Sequence, residues 1–409
     1  MVKTWTRPTV PRLPGFGPIP RIFDSATRRL VETSTEDVAS IYVCGITPYD
    51  ATHLGHAATY LAYDTLIRLW LDAGLSVDYV QNSTDVDDPL LERAARDGVD
   101  WRDLAAAQTE LFRGDMEQLR IIPPDHYVAV TEVIGEVADA VKILEDAGLA
   151  YAVDSPDAAP DLYFDSSFTA PAWHLGAESN LDRATMLELS AERGGDPQRS
   201  GKRDPLDPLL WRSERSDDPA WDSVLGRGRP GWHVECSVIA MKYLRSPITV
   251  NGGGSDLIFP HHEFSAGHAT ALNGQALAGI YSHAGMVAYH GEKMSKSLGN
   301  LVLVSRLAAA DIDPRVIRLA LLSEHYRSDW EWTDAHLDIA RKRLERWTTW
   351  AATMADETDA FLAELRLVLS DDLDSPAALT AIDSHIAAGG SASVVLVDAI
   401  DALLGVQLL

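Results

Sequence analysis

The sequence predicts an α/β protein: a doubly wound parallel sheet that binds a nucleotide, interrupted by an insertion and closed by a C-terminal helical bundle. Three observations carry this. The β-prone runs Ile41 to Val43 and Ile248 to Val250 each end in a loop of small residues, and after about residue 312 the apolar spacing is helical throughout. With 409 residues the chain is too long for one compact core. Hydrophobic residues at 46% and charged residues at 23% exclude a disordered or low-complexity polymer.

Ile41-Tyr42-Val43 leads into Gly45, Pro48 and Tyr49, and from His56 to Asp72 the residues Tyr63, Leu66, Ile67 and Trp70 recur at helical spacing. Val77 to Val80 then runs into Asn82, Ser83 and Thr84, completing a βαβ unit. Ligands of such sheets gather at the C-terminal ends of strands, so Cys44 and Thr84 are expected on one rim. Residues 131 to 147 place Val133, Ile134, Val137, Ala138, Val141 and Leu144 on one helix face, with Gly148 as a left-handed stop. From about 150 to 225 the chain is rich in Asp, Pro and Gly and reads as an irregular insertion. Ile248-Thr249-Val250, followed by Asn251-Gly252-Gly253-Gly254-Ser255-Asp256, should rejoin the first half of the sheet.

Three apolar stripes predict the closing helices: Leu337, Ala340, Leu344, Trp347 and Ala351; Phe361, Leu362, Leu365 and Leu369; Val394, Val397 and Leu404. The expected parts are residues 1–125 and 226–310 for the two halves of the nucleotide-binding domain, 126–225 for the insertion and 311–409 for the helical domain.

Charge is the informative departure from average, with 35 Lys and Arg against 61 Asp and Glu, a net −26. Such a surface repels nucleic acid and anionic lipid, although a cleft answers to its own lining charges. No apolar run approaches the roughly eighteen residues of a membrane helix. The start, with Pro8, Pro11, Pro14, Pro18 and Pro20, lacks the apolar core of a signal peptide, so a cytoplasmic protein is expected. The two cysteines, Cys44 and Cys236, then suit metal binding, catalysis or core filling before a disulfide.

Thr47 to His56 lies between a strand end and a helix start, where backbone amides and the helix dipole favour a phosphate, and His53 and His56 can both face it. In isolation His-x-x-His equally suits a helix cap. Lys293-Met294-Ser295-Lys296-Ser297, between Gly291 and Gly299, brings two ammonium groups to a loop that alone would be a solvated turn. Asn251 to Ser255 fits neither the P-loop nor the G-x-G-x-x-G pattern.

Taken together, His53-Leu54-Gly55-His56 and Lys293 to Ser297 resemble the HIGH and KMSKS signatures of class I aminoacyl-tRNA synthetases. The resemblance implies a Rossmann nucleotide-binding fold in which His53, His56, Lys293 and Lys296 stabilise the charge that develops when a carboxylate attacks the α-phosphate of ATP. It further implies that Cys44, Gly45, Ile46, Thr47, Gly55, Thr59, Asn82, Ser83, Thr84, Trp232, Gly254, Ser255, Asp256 and Val287 line the nucleotide and amino-acid pocket. Within that set, Asp256 is the ribose-binding acid, Gly55 admits adenine to the backbone, Trp232 packs beside the amino acid, and Mg²⁺ accompanies the phosphates.

Cys44, Cys236 and His261 resemble the zinc ligands of cysteinyl-tRNA synthetases, implying one Zn²⁺ at the base of the amino-acid pocket. Those enzymes usually read His-His-Glu-Asn-Glu, the last Glu being a further ligand. Here the run is His261-His262-Glu263-Phe264-Ser265, so the fourth position is left for the substrate thiolate, a soft ligand that serine cannot match. Ala57 stands where those enzymes commonly carry Arg.

Residues 301–409 hold nine Lys and Arg against 18 Asp and Glu, with no basic residue after Arg366. Reading an anticodon needs cationic groups and stacking platforms, so no tRNA is expected as a partner. This tail, the wording Cys44 to Thr59 and the stretch Glu192-Arg193-Gly194-Gly195-Asp196-Pro197 resemble the cysteine:glucosaminyl-inositol ligases of mycothiol biosynthesis. The implied substrates are L-cysteine, ATP and glucosaminyl-inositol, the implied enzyme is a ligase, and a monomer that binds no membrane is expected. Arg193 and Asp196 are candidates for sugar hydroxyls, or else a capped loop with an ordinary ion pair. A truncated cysteinyl-tRNA synthetase and a non-catalytic cysteine-binding paralogue are the competing readings.

Overall fold

The computed structural model describes residues 3–33, 37–49, 52–156, 158–216, 218–294, 300–354 and 361–409. Five strands, β1 (Val38–Val43), β2 (Ser76–Ser83), β3 (His126–Ala129), β4 (Ile248–Gly254) and β5 (Ala278–Ala284), form a parallel sheet in the order β5-β4-β1-β2-β3. The two halves of the sequence meet at β1 and β4, where Ile41 lies opposite Val250 and Val43 opposite Gly252. This is the split, doubly wound sheet that the β-prone runs predict. Strand β3 is not predicted, and it carries the sheet past the boundary expected at residue 125. Its four residues are too few to show a period, and only its pairing with Val80 to Ser83 makes it a strand.

Side chains alternate across β1: Ile41 and Val43 join one core, Tyr42 and Cys44 the other. The first core contains α1 (Leu54–Asp72) and the C-terminal helices. The second contains α2 (Ile134–Asp146), α4 (Trp232–Tyr243), α5 (Glu263–Asn273) and part of the insertion, whose own helix is α3 (Arg183–Glu192). As the sequence implies, α2 ends before Gly148, whose φ is +74°.

The insertion is more regular than its composition suggests. Ala150–Ser155, Ala158–Phe164, Leu209–Ser213 and Gly228–Pro230 form an antiparallel sheet. Asp161, buried within it, accepts from Ser213 N–H at 2.8 Å and pairs with Arg199 at 2.6 Å and Arg215 at 2.8 Å. Long-range pairing across the excursion between Phe164 and Leu209 hides this sheet from any local pattern.

Helices Pro314–Leu321, Asp334–Ala351, Phe361–Ser370, Ser375–Ala387 and Val394–Leu404 close the chain. Two details differ from expectation. Trp330–Glu331 is a short strand that pairs parallel with Val287–Tyr289, and Val394 is 59% exposed while Val397 and Leu404 are buried. Val394 is the first residue of its helix, where the apolar face has not yet turned toward the bundle.

Candidate active site

The C-terminal ends of β1, β2 and β4 open on one rim. Cys44 N–H donates to Gly252 O at 3.0 Å, continuing the ladder one residue beyond β1. Gly45 follows where no side chain fits, since a Cβ there would lie 1.6 Å from Asn82 O. The Asn82 carboxamide ties this rim together: its Oδ1 accepts from Gly45 N–H at 2.8 Å and from the Tyr42 hydroxyl at 3.0 Å, and its Nδ2 donates to Thr84 Oγ1 at 3.0 Å. Thr84 N–H in turn donates to Ile46 O at 3.0 Å. Asn82, Ser83 and Thr84 are all buried, and Asn82 and Thr84 fix the loop that carries Gly45, Ile46 and Thr47.

His53 is the N-cap of α1, its Nδ1 accepting from Gly55 N–H at 3.1 Å. The rings of His53 and His56 stack with centroids 3.8 Å apart. A Cβ on Gly55 would lie 2.9 Å from the His53 ring and 4.0 Å from Val287 Cβ, so the missing side chain lets the helix start, the ring and the Val287 strand meet. Thr59 Oγ1 donates to Gly55 O at 3.1 Å, and a Cβ on Gly254 would be 4.0 Å from that hydroxyl. Gly55, Thr59, Gly254 and Val287 are therefore neighbours.

The glycine run after Asn251 serves close packing. A Cβ on Gly252 would meet the Tyr63 ring of α1 at 2.6 Å, and one on Gly253 the His262 ring at 2.9 Å. Ser255–Leu257 forms one turn of 3₁₀ helix, with Asp256 in it.

The sulfurs of Cys44 and Cys236 and a nitrogen of His261 all lie within 4.8 Å of one another. They arrive from three places: the end of β1, the interior of α4 and the segment before α5. His261 is gripped on both sides. Its Nε2 is 3.2 Å from Cys236 Sγ, its Nδ1 is 3.0 Å from Nδ1 of His233, and Trp232 stacks on it at 4.3 Å. Burial, with neighbouring imidazoles, holds His261 well below the usual histidine range, so its ring is neutral and has a lone pair to offer. Burial also pushes the Cys44 thiol up, and the Cys236 sulfur adds to this, so a Cys44 thiolate here needs a cation. Two soft sulfurs and a neutral imidazole fit a soft or borderline divalent metal with one position left open. Ser265 does not point to that position: its hydroxyl lies 2.7 Å from His261 O and 3.1 Å from His233 O.

Several groups at this site were not predicted. Cys44 Sγ lies 3.1 Å from His262 Nε2, whose Nδ1 is 2.7 Å from His283 Nε2, and His283 Nδ1 is 2.7 Å from Ser25 Oγ. His283 sits at the rim end of β5, and that register was the available signal; Ser25 offers none. His233 is one residue past Trp232, on the first turn of α4, and only the fold aims it at His261.

Arg193 and Asp196 both have partners within the protein. Arg193 Nη1 donates to Asp256 O and Phe259 O, both at 2.6 Å, while Asp196 accepts from Lys202 at 2.9 Å and from the Tyr163 hydroxyl. Lys296 lies outside the described residues, as does the side chain of Lys293. The Lys293 backbone pairs antiparallel with Ala288.

Residues 30–342 match the family model described as the tRNA synthetases class I (C) catalytic domain, and the chain belongs to that family. Relatives similar over the whole chain include ligases. The L-cysteine:1D-myo-inositol 2-amino-2-deoxy-alpha-D-glucopyranoside ligase of Clavibacter michiganensis subsp. michiganensis is 61% identical, covering 100% of this chain and 99% of its own. The ligase of the same name from Mycobacterium sp. strain KMS is 55% identical over the same shares. Among solved structures, Mycobacterium tuberculosis methionyl-tRNA synthetase in complex with methionyl-adenylate superposes with a TM-score of 0.62 at 17% identity, over 91% of this chain and 89% of that one. The leucyl-tRNA synthetase in a ternary complex from Agrobacterium radiobacter K84 gives 0.59 at 14% identity, over 91% and 83%. The fold is that of class I synthetases. Among the described residues no helix is long and apolar enough to cross a membrane.

Proposed function

We propose that this chain is an ATP-dependent ligase that joins L-cysteine to the amine of glucosaminyl-inositol through cysteinyl adenylate, releasing AMP and diphosphate. One observation carries the reading: the Cys44, Cys236 and His261 cluster lies on the rim that also bears the His53 and His56 pair. The full-length likeness to ligases named for L-cysteine and an aminosugar-inositol supports the substrates.

In the first step a cysteine carboxylate oxygen attacks the α-phosphorus and the bond to the diphosphate group breaks. His53 and His56, at the N-terminus of α1, place imidazole and helix dipole together where negative charge builds. Lys293 and Lys296 neutralise the departing diphosphate, which Mg²⁺ accompanies as part of the nucleotide substrate. Asp256 holds the ribose, and the stretch Gly45 to Thr47, fixed by Asn82, faces the adenylate. In the second step the acceptor amine attacks the activated carbonyl carbon, the bond to AMP breaks and the amine loses a proton.

Cys44, Cys236 and His261 would hold one Zn²⁺, a soft Lewis acid that favours a thiolate over serine's hydroxyl. Trp232, stacked on His261, walls the amino-acid side of that position. His233 keeps the His261 ring oriented through its far nitrogen. The acidic surface and a tail with no basic residue after Arg366 suit an acceptor other than tRNA. In this reading the enzyme works in the cytoplasm as a monomer.

The deciding assay offers the purified protein cysteine and ATP with either glucosaminyl-inositol or tRNA. The proposal expects an amide product with the first and no charging of the second. Charged tRNA with no amide product would replace the ligase by a synthetase, and no cysteine-dependent exchange of diphosphate into ATP would remove both.

A further inference from the structure

The stretch Glu192-Arg193-Gly194-Gly195-Asp196-Pro197 has no part in the reaction steps set out above. Its local structure is unusually determined. Helix α3 stops at Arg193, whose N–H donates to Leu189 O at 3.0 Å. Gly194 takes a φ of +83°, and Gly195 N–H returns to Ser190 O at 2.8 Å. A Cβ on Gly195 would lie 2.7 Å from that same carbonyl oxygen, so the chain can close the helix only with glycine there. Asp196, held by Lys202 and the Tyr163 hydroxyl, fastens the far end of the turn to the insertion sheet.

What this turn presents is one guanidinium. Arg193 Nη1 reaches Asp256 O and Phe259 O together, each at 2.6 Å. Those carbonyls flank the segment between β4 and α5, which carries Asp256 at one end and His261 two residues beyond the other. Phe259 is fully buried, so its carbonyl has no water to turn to if the guanidinium leaves. Between Asp256 and Phe259 the segment is one 3₁₀ turn followed by a break at Phe259 with φ −139°, and Arg193 bridges the two ends of that stretch.

We infer that Arg193 is a positioning residue: it clamps the 255–261 segment from the insertion side, and so holds the nucleotide-facing Asp256 and the metal-facing His261 in one fixed relation. This rests on the proposed roles of Asp256 and His261. The insertion thereby acts on adenylate formation without touching a substrate, and Glu-Arg-Gly-Gly-Asp-Pro is the turn that aims the clamp.

The test compares Arg193→Ala, Arg193→Lys and the unsubstituted protein. ATP affinity is measured by titration calorimetry without turnover, alongside KM and kcat in cysteine-dependent diphosphate exchange. The clamp predicts ATP binding weakened by about tenfold in Arg193→Ala, the loss of one well-made charged contact. It also predicts substantial recovery in Arg193→Lys, whose ammonium reaches the same carbonyls, and a melting temperature that does not follow the affinity. Should Arg193→Ala fail to fold, Arg193→Met, which keeps the apolar stem and loses the donors, takes its place with the same expectation. ATP affinity within twofold of the unsubstituted protein in folded Arg193→Ala, or in Arg193→Met taken in its place, overturns the clamp and leaves the ligase reading standing. Unsubstituted protein that binds ATP but supports no exchange overturns the ligase reading, while calorimetry still decides the clamp. Unsubstituted protein that binds no ATP overturns both.

Discussion

At the scale of single residues, the site is built from side chains whose second atom is committed. His261 illustrates it: one nitrogen faces Cys236, the other faces His233, and Trp232 covers the ring. His261→Ala should abolish bound metal, read by elemental analysis, together with cysteine-dependent exchange; full metal content with unchanged exchange would remove His261 from the ligand set. A second residue predicts a pH effect. Asp115 is fully buried and burial pushes its carboxyl up to about 7. In the unfolded chain the same group titrates near ~3.9. As pH rises between these values the unfolded state gives up its proton first, so stability falls across that window and levels off above it. Asp115→Asn should therefore melt higher than the unsubstituted protein at pH 7.5 and show no advantage at pH 4. An equal advantage at both pH values would contradict this origin.

At the scale of elements, the hairpin that leads to the lysine loop is held from the C-terminal domain. Trp330 N–H donates to Met286 O at 3.0 Å, Trp332 N–H to Ala288 O at 2.8 Å, and the Glu331 carboxylate accepts from Gly291 N–H at 2.8 Å. Gly291 turns the hairpin with a φ of +75° just before Glu292–Lys293. Glu331→Ala removes the only side-chain acceptor described for that turn and should loosen the approach of the lysines. Rapid-mixing kinetics should show adenylate formation slowed by about fivefold, a change of roughly 1 kcal/mol in the barrier. Cysteine affinity should stay constant; a parallel loss of it would point to general damage instead.

For the whole molecule, α1 is the shared beam. Its N-terminus carries His53 and His56, and its middle carries Asp64 and Arg68, fully buried and paired at 2.8 Å. Arg318, from the C-terminal domain, pairs with the same Asp64 and donates to Leu119 O at 2.6 Å, and Arg68 donates to Asp401 O at 3.0 Å. Although burial alone would raise the Asp64 pKa, Arg68 and Arg318 hold it below the usual carboxylate range. Arg318→Met leaves Asp64 with Arg68 as its one cationic partner and takes a donor from two buried carbonyls, those of Leu119 and Leu404, which should cost about 3–5 kcal/mol of stability. Denaturant unfolding measures this directly. A midpoint unchanged by the substitution would show that the network does not tie the helical domain to the sheet.

Sequence alone determined the elements whose information is local. β1, α1, β2 and β4 follow from β-prone runs and helical spacing, and the rim residues follow from motifs placed at strand ends. The candidate metal cluster was legible only through the resemblance to cysteinyl-tRNA synthetases, since nothing in the spacing of Cys44, Cys236 and His261 brings them within reach of one another. Tertiary structure decided what depends on pairing at long range. It made His126–Ala129 a strand and turned the Asp- and Gly-rich insertion into a sheet. It aimed His233, His262 and His283 inward, and sent Arg193 to two backbone carbonyls instead of to solvent. The physical reason is that periodicity reports which face of an element is buried, whereas the partner of a buried polar group is set by whichever distant segment packs against it.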